Sequence, residues 1–286
     1  MRRQLRDVVA ERAVVLDGGL ATLLESHGHD LSDQLWSARL LRDDPAAVVA
    51  AHREFFEAGA EVAISASYQV SEHGLGDRAD ELLRESVRLA ARARDEVAPD
   101  GWVAASVGPY GAVLADGSEY RGVYDLDAAG LREFHRPRLQ TLLDAGADVL
   151  ALETIPCLAE VEVLLGEIAG TGHPAWLSLT VAGGRTRAGE SLDEAFAMAA
   201  DVEEVLAVGI NCSAPAEVTS LGRAVVAYPN SGQGWDAERR EWTGEPAFDA
   251  DDVAAWLAAG TRLVGGCCGV GPADISATAR AVAAIR

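Results

Sequence analysis

The sequence predicts a (β/α)8 barrel, and three observations support this fold class. Short apolar segments recur eight times along the 286 residues, and amphipathic helical patterns lie between them. The apolar segments show almost no alternation, which is typical of parallel strands covered on both faces. The length suits a barrel of about 250 residues, and no linker or internal repeat interrupts it. We therefore expect residues 1–286 to form one domain.

The predicted strands are short runs of mostly aliphatic residues. In chain order they are Ala13–Leu16, Val62–Ala66, Trp102–Val107, Val149–Leu152, Ala175–Leu179, Val205–Ile210, Ala224–Ala227 and Leu263–Val264. An open doubly wound sheet would produce the same alternation of strands and helices. However, the first strand is followed by Asp17-Gly18-Gly19-Leu20-Ala21, which lacks the G-x-G-x-x-G spacing of a dinucleotide-binding turn. This difference favours the barrel.

The helical patterns place apolar residues on one face and charged residues on the other. They are clearest over Asp80–Ala98, Leu158–Ile168 and Asp249–Ala259. Pro137 interrupts a further pattern, and because proline removes a backbone donor we expect that helix to start late or to kink there. A short helix is predicted over Pro215–Leu221.

Composition excludes several classes of function. The formal net charge of −21 opposes nucleic-acid binding, since phosphates would be repelled. No run of about 18 uncharged apolar residues is present to span a membrane, and the first residues do not resemble a signal peptide. Four cysteines are too few for a disulfide framework. Thiols kept reduced are typical of cytoplasmic proteins, so we expect a cytoplasmic protein.

Polar residues gather where the predicted strands end. The strand-end segments are Asp17-Gly18-Gly19, Ser65-Ala66-Ser67-Tyr68-Gln69, Gly108-Pro109-Tyr110-Gly111, Glu153-Thr154, Asn211-Cys212, Tyr228-Pro229-Asn230-Ser231-Gly232 and Cys267-Cys268-Gly269. In a barrel these ends meet on one rim, which is the face where barrel enzymes work. We therefore expect them to line a single site, with Ser67 among the substrate contacts.

Three cysteines at two strand ends indicate an open metal site. Cys212, Cys267 and Cys268 would supply three protein ligands to zinc and leave a fourth position for water or substrate. Adjacent side chains on a regular strand point to opposite faces, so the chain must bend at the cysteine pair, and flanking glycines permit this. Cys157 is expected to lie outside the site. The alternative is that small buried cysteines only fill space.

Two carboxylates on the same rim are candidates for substrate binding. Asp17 and Glu153 would be costly to bury alone, so they are expected to hold a substrate ammonium group or to form a rim salt bridge. Gly18 and Gly19 would let backbone N–H groups approach a ligand carboxylate. Asn230 is either a further polar contact or part of an ordinary turn.

Taken in order, these residues resemble the homocysteine S-methyltransferase family along nearly the whole chain. The motifs that carry the resemblance are Leu16-Asp17-Gly18-Gly19-Leu20-Ala21-Thr22, Leu35-Trp36-Ser37-Ala38, Ala58-Gly59-Ala60-Glu61, Ser67-Tyr68-Gln69, Glu153-Thr154-Ile155-Pro156, Gly209-Ile210-Asn211-Cys212, Tyr228-Pro229-Asn230-Ser231-Gly232 and Gly265-Gly266-Cys267-Cys268. The resemblance implies a (β/α)8 barrel with zinc on Cys212, Cys267 and Cys268. It also implies that Asp17 and Glu153 hold the amino-acid end of homocysteine.

The resemblance further implies methyl transfer from a small-molecule donor to homocysteine, giving methionine. Gly269 stands where the S-methylmethionine branch of the family often has arginine, and Gln233 where it often has glutamate. The long carboxyl extension common in the betaine branch is missing. We favour a sulfonium donor, S-methylmethionine ahead of S-adenosylmethionine, with betaine third. Two other hypotheses stay open: a metal-free redox protein using Cys267 and Cys268, and a structural zinc site closed by Cys157.

Overall fold

Eight parallel strands form one sheet in the computed structural model, which describes residues 2–31, 37–236 and 241–285. The strands are β1 Val14–Val15, β2 Val62–Ile64, β3 Trp102–Val107, β4 Val149–Ile155, β5 Ala175–Leu179, β6 Val205–Asn211, β7 Val226–Tyr228 and β8 Leu263–Val264. Each overlaps one of the predicted strands. The motif Leu35-Trp36 lies outside the described residues.

The sheet closes on itself. Each strand from β2 to β8 pairs in parallel with the next, and β8 pairs with β1 through Val14 and Leu263. Between β1 and β2 the backbone N–H of Asp17 donates to the Val62 carbonyl at 3.1 Å, and that of Glu61 donates to the Val15 carbonyl at 2.8 Å. The predicted (β/α)8 barrel is therefore confirmed, and the carboxyl ends of the strands form one rim.

Helices lie between the strands. Within the described residues they are α1 Leu5–Glu11, α2 Leu20–Ser26, α3 Ser37–Asp43, α4 Pro45–Glu57, α5 Glu72–Leu75, α6 Ala79–Val97, α7 Tyr110–Leu114, α8 Ala128–Leu143, α9 Leu158–Ile168, α10 Leu192–Ala200, α11 Pro215–Leu221, α12 Ala250–Ala258 and α13 Pro272–Ile285, with 3-10 turns at Gly76–Arg78 and Ser118–Tyr120. None of them is both long and apolar enough to cross a membrane.

Helix α8 differs from the sequence prediction at Pro137. It starts at Ala128, nine residues before the proline, and continues to Leu143, so the predicted late start is wrong. Asp127 fixes the start, because its side chain accepts a hydrogen bond from the Gly130 N–H at 2.9 Å. Buried leucines on either side of the proline pack the helix against the barrel and offset the lost hydrogen bond.

The core has two layers, which match the strand composition. Inside the barrel, residues including Leu16, Val62, Trp176 and Tyr228 form one cluster. The opposite faces of the strands pack against the helices in a second, larger cluster. Both strand faces are therefore buried, which explains why the strand sequences are continuously apolar.

Two antiparallel hairpins extend the rim beyond the barrel. One pairs Val181–Ala182 with Arg185–Thr186 directly after β5, and the other pairs Gly234–Asp236 with Glu241–Thr243 after β7. Neither hairpin was predicted from the sequence. The first hairpin contributes to the site described next.

Candidate metal centre

The sulfurs of Cys212, Cys267 and Cys268 meet at the rim. The Cys212 and Cys268 sulfurs are 3.8 Å apart, those of Cys267 and Cys268 are 3.9 Å apart, and all three lie within 4.8 Å of one another. Sulfurs bound to one tetrahedral zinc ion at about 2.3 Å would be about 3.8 Å apart. All three thiols are free rather than oxidised. This donor set therefore fits a zinc ion with one coordination position open.

The cysteine pair is held by the loop that follows β7. The Cys267 N–H donates to the Pro229 carbonyl at 2.7 Å, and the Ser231 N–H donates to the Cys268 carbonyl at 2.8 Å. Gly269 has φ +77°, a conformation that favours glycine, and a Cβ there would collide with the Ser231 side chain. The bend predicted at the pair is present, and an arginine at position 269 would be strained in this conformation.

Cys212 sits beside a tyrosine that the sequence analysis did not single out. The Tyr120 hydroxyl lies 3.3 Å from the Cys212 sulfur, and the Thr180 hydroxyl donates to the Cys212 carbonyl at 3.3 Å. Hydrogen bonds from Cys267 and then Cys268 hold the pKa of Cys212 well below its usual range.

Cys157 lies apart from this cluster. It precedes helix α9 and is buried, and its sulfur is not within 4.8 Å of all three others. Burial raises the pKa of its thiol to about 12. Among the described residues, the structure therefore does not assemble a four-cysteine site. Cys157 lies outside the cluster, as predicted from the sequence.

Glu153 is buried deeper in the barrel. Its carboxylate accepts hydrogen bonds from the Ser106 hydroxyl and, at 3.0 Å, from the Tyr228 hydroxyl. Burial is the main reason that its pKa is raised to about 7. No arginine in the described residues forms a salt bridge with it, which argues against the rim salt bridge.

Asp17 has one unsatisfied oxygen. Its Oδ2 accepts a hydrogen bond from the Ile64 N–H at 2.9 Å, whereas Oδ1 is buried without a partner in the described structure. Burial, and then the charge of Glu153, raise the pKa of Asp17 well above its usual range. His52 lies 4.0 Å from Oδ2, but burial lowers its pKa to about 4, so it is neutral at pH 7. A buried, unpartnered carboxylate oxygen suits a ligand ammonium group.

The remaining predicted contacts are less available to a ligand. The Gly19 N–H donates to the Val270 carbonyl at 2.9 Å, so the predicted ligand contact from Gly19 is not available in this conformation. Gly18 and Gly19 instead allow a close approach, since a Cβ on Gly19 would lie 2.6 Å from the Cys267 carbonyl oxygen. The first loop of the barrel is thereby packed against the cysteine pair.

Ser67 and Asn230 are also engaged within the protein. The Ser67 hydroxyl is fully buried and donates to the Ser106 carbonyl at 2.7 Å. The Asn230 side-chain oxygen accepts a hydrogen bond from the Gly232 N–H at 3.0 Å, which is the turn interpretation of this motif. The structure brings both residues to the rim, where they support the loops.

Comparison with known proteins agrees with this geometry. Residues 14–282 match the homocysteine S-methyltransferase family. This chain belongs to that family. It is 43% identical to homocysteine S-methyltransferase from Escherichia coli (strain K12), covering 92% of this chain and 93% of that protein. It is 40% identical to selenocysteine Se-methyltransferase from Brassica oleracea var. italica, covering 92% of this chain and 87% of that protein.

Solved structures of this family share the fold. The chain is similar to the metallated form of the homocysteine methyltransferase MmuM from Escherichia coli, with a TM-score of 0.85 and 39% identity over 97% of this chain and 99% of that one. The oxidised form of the same protein gives a TM-score of 0.83 over 96% and 98%. The family resemblance found in the sequence is therefore confirmed, and so is the prediction that the protein is a methyltransferase.

Proposed function

We propose that this protein transfers a methyl group to homocysteine, giving methionine, with zinc held by Cys212, Cys267 and Cys268. The observation that carries the proposal is the spacing of the three sulfurs, 3.8 and 3.9 Å for two of the pairs. Homocysteine as the acceptor is supported by the relatives, because proteins named homocysteine S-methyltransferase match this chain over most of its length. Free thiols also suit a cytoplasmic location.

A metal ion at this site would make the homocysteine thiol a better nucleophile. A free thiol has a pKa of about 8.5 and is mostly protonated at pH 7, so it attacks a methyl group poorly. Zinc bound to the three cysteines would lower that pKa and hold the acceptor sulfur in place. The cysteine loops contribute rigidity, because their backbone hydrogen bonds fix the directions of the three sulfurs.

The deeper carboxylates would bind the other end of homocysteine. Asp17 has an unpartnered buried oxygen, and Glu153 is held by Ser106 and Tyr228. An ammonium group placed between them would favour their ionised forms and relieve the cost of burying the charge. This arrangement would select an amino acid thiol over a simple thiol.

A sulfonium donor fits the remaining chemistry. The methyl carbon bonds to the acceptor sulfur while its bond to the donor sulfur breaks, and the bonding electrons leave with the donor as a neutral thioether. The thiol proton of homocysteine would leave to solvent when the acceptor binds, so the attacking group is a thiolate and the transfer step itself moves no proton. We place S-methylmethionine first, S-adenosylmethionine second and betaine third.

The experiment is methionine formation from homocysteine by the purified, reduced protein with each of the three donors in parallel. Selenocysteine serves as an additional acceptor, because a selenocysteine Se-methyltransferase is among the relatives. We expect turnover with a sulfonium donor that is lost on chelation and restored by zinc. No methionine from any donor with the zinc-loaded protein, or full activity without metal, would contradict the proposal.

A further inference from the structure

Arg187 lies at the open side of the sulfur cluster. It directly follows the second strand of the hairpin after β5, and its guanidinium carbon is 5.3 Å from the centre of the Tyr120 ring. The hydroxyl of that tyrosine is in turn 3.3 Å from the Cys212 sulfur. Arg187 therefore stands one side chain away from the proposed metal ligands.

The position of Arg187 is fixed by hydrogen bonds. Its Nε donates to the Thr180 hydroxyl at 3.1 Å, and this hydroxyl donates onward to the Cys212 carbonyl. The hairpin is anchored as well, because Gly183 and Gly184 donate their N–H groups to the Glu217 carboxylate at 2.7 and 3.0 Å. The side chain is thus held before any ligand arrives, which lowers the entropy cost of binding one.

The two terminal nitrogens of Arg187 have no partner among the described residues. In the part of the chain that the structure describes, neither forms a hydrogen bond or an ion pair. Nearby arginines differ: Arg121 pairs with Asp116 at 3.0 Å, and Arg185 donates to the Gly189 carbonyl at 3.0 Å. In a protein with a net charge of −21, an arginine without a carboxylate partner beside the site is available to an anionic ligand.

The two sides of the sulfur cluster offer opposite charges. On the buried side, Asp17 and Glu153 are 1% and 7% exposed and suit an ammonium group. On the open side, Tyr120 is 41% exposed and Arg187 is half-buried. An acceptor held by the buried carboxylates leaves the open side as the approach for the second substrate. That substrate would meet a guanidinium fork, which matches a carboxylate in a two-point contact.

We propose that Arg187 binds the carboxylate of the methyl donor, so that the donor is an onium compound bearing a carboxylate. This inference rests on the proposed function and adds the residue that recognises the donor. The competing explanation is that Arg187 only balances the negative charge of the cysteines. The two explanations differ in which substrate and which donor group respond to its loss.

The test compares S-methylmethionine with its carboxamide, which keeps the sulfonium but lacks the negative charge. Wild-type protein should use the carboxylate donor about 10- to 100-fold more efficiently than the carboxamide. Arg187→Gln should raise the KM for S-methylmethionine by a similar factor, leave the KM for homocysteine within about twofold, and leave the carboxamide rate unchanged. Arg187→Lys keeps the charge but loses the two-point contact of the guanidinium. Its KM for S-methylmethionine should lie between those of wild type and Arg187→Gln.

Arg185→Gln is the matched control, because it removes the same charge from the same hairpin without touching the site. It should behave as wild type with both donors. Zinc content, measured in every variant by elemental analysis, should not change.

Equal losses with both donors, loss of zinc in Arg187→Gln, or a raised KM for homocysteine would overturn the inference. So would a wild-type protein that does not distinguish the two donors. If the zinc-loaded wild type transfers no methyl group from any donor, the proposed function itself fails, and this result is seen before any variant is made.

Discussion

The side-chain amide of Asn211 forms two hydrogen bonds with Thr154. Its Oδ1 accepts from the Thr154 backbone N–H at 2.7 Å, and its Nδ2 donates to the Thr154 hydroxyl at 2.8 Å. Thr154 has φ +60° and Cys212, the next residue after Asn211, has φ +47°. Such left-handed conformations cost about 1 kcal/mol or more in residues other than glycine. The Asn211 amide therefore holds the strained backbone at Thr154 beside the strained backbone at Cys212, whose sulfur belongs to the cluster.

Replacing this amide should weaken both the fold and the metal site. Asn211→Ala leaves the buried Thr154 N–H without a partner, so we expect a loss of about 2–4 kcal/mol in the free energy of unfolding. Zinc affinity should fall because the backbone at Cys212 is released. Denaturant unfolding and a competitive zinc titration measure the two effects. Thr141→Val is the control, since it removes a partly buried hydrogen bond to Asp80 on the outer helices; it should lower stability only. Unchanged zinc affinity in Asn211→Ala would show that the amide does not position the cysteine.

The cysteines should separate into ligands and a bystander. Cys212→Ser and Cys268→Ser replace a soft thiolate with a weaker oxygen ligand, so stoichiometric zinc and methyl transfer should be lost together. Cys157→Ser should keep both, because Cys157 lies apart from the cluster. Elemental analysis, activity and circular dichroism on the same preparations check this. A protein that loses zinc only when Cys157 is changed would point to a different ligand set.

Glu153 should make stability depend on pH. Burial raises its folded-state pKa to about 7 from an ordinary value of 4.5, so the folded protein binds a proton more tightly than the unfolded chain. The stabilisation is fully present below pH 4.5 and is lost as the pH rises through 7, by about 3 kcal/mol in all. Glu153→Gln removes this contribution. Urea unfolding of the metal-free, reduced protein at pH 5 and pH 8 should therefore show a larger fall for wild type than for Glu153→Gln, and parallel curves would exclude the raised pKa.

The parts of the fold predicted from sequence are those with a strong local signal. Parallel strands covered on both faces must be apolar throughout, so segments such as Trp102–Val107 and Ala175–Leu179 could be placed to the residue. Barrel closure then gathers the strand ends, and the cysteines with them. Pro137 misled the prediction because the capping by Asp127 and the buried leucines of α8 outweigh one lost hydrogen bond.

The parts that sequence could not supply depend on loop conformation. Tyr120 and Arg187 lie in segments without a motif, and only the tertiary structure shows that the Arg187 guanidinium carbon lies 5.3 Å from the centre of the Tyr120 ring. The N–H group of Gly19 was expected to face a ligand, but it donates a hydrogen bond to the Val270 carbonyl instead. Only the tertiary structure shows that partner. Backbone groups carry no sequence signal of their own, so their availability could not be predicted.

Gly209 provides a test of the strand packing that supports the site. It lies in β6 opposite Val226 of β7, and a Cβ there would lie well inside contact distance of the Val226 carbonyl oxygen. Gly209→Ala should therefore force the two strands apart and lower the free energy of unfolding by about 3 kcal/mol or more. Because β6 leads to Cys212 and β7 to the loop that holds the cysteine pair, zinc content should fall as well.

Gly166→Ala is the matched control for Gly209→Ala. Gly166 lies in helix α9, where a Cβ would meet nothing within 4 Å, so alanine should stabilise the protein by about 0.5–1 kcal/mol through helix propensity. Urea unfolding of both variants beside wild type gives the comparison. If Gly209→Ala were as stable as Gly166→Ala, the space between β6 and β7 would have to accommodate a methyl group, contrary to the structure. The close pairing of these strands could not then be what brings the three sulfurs together.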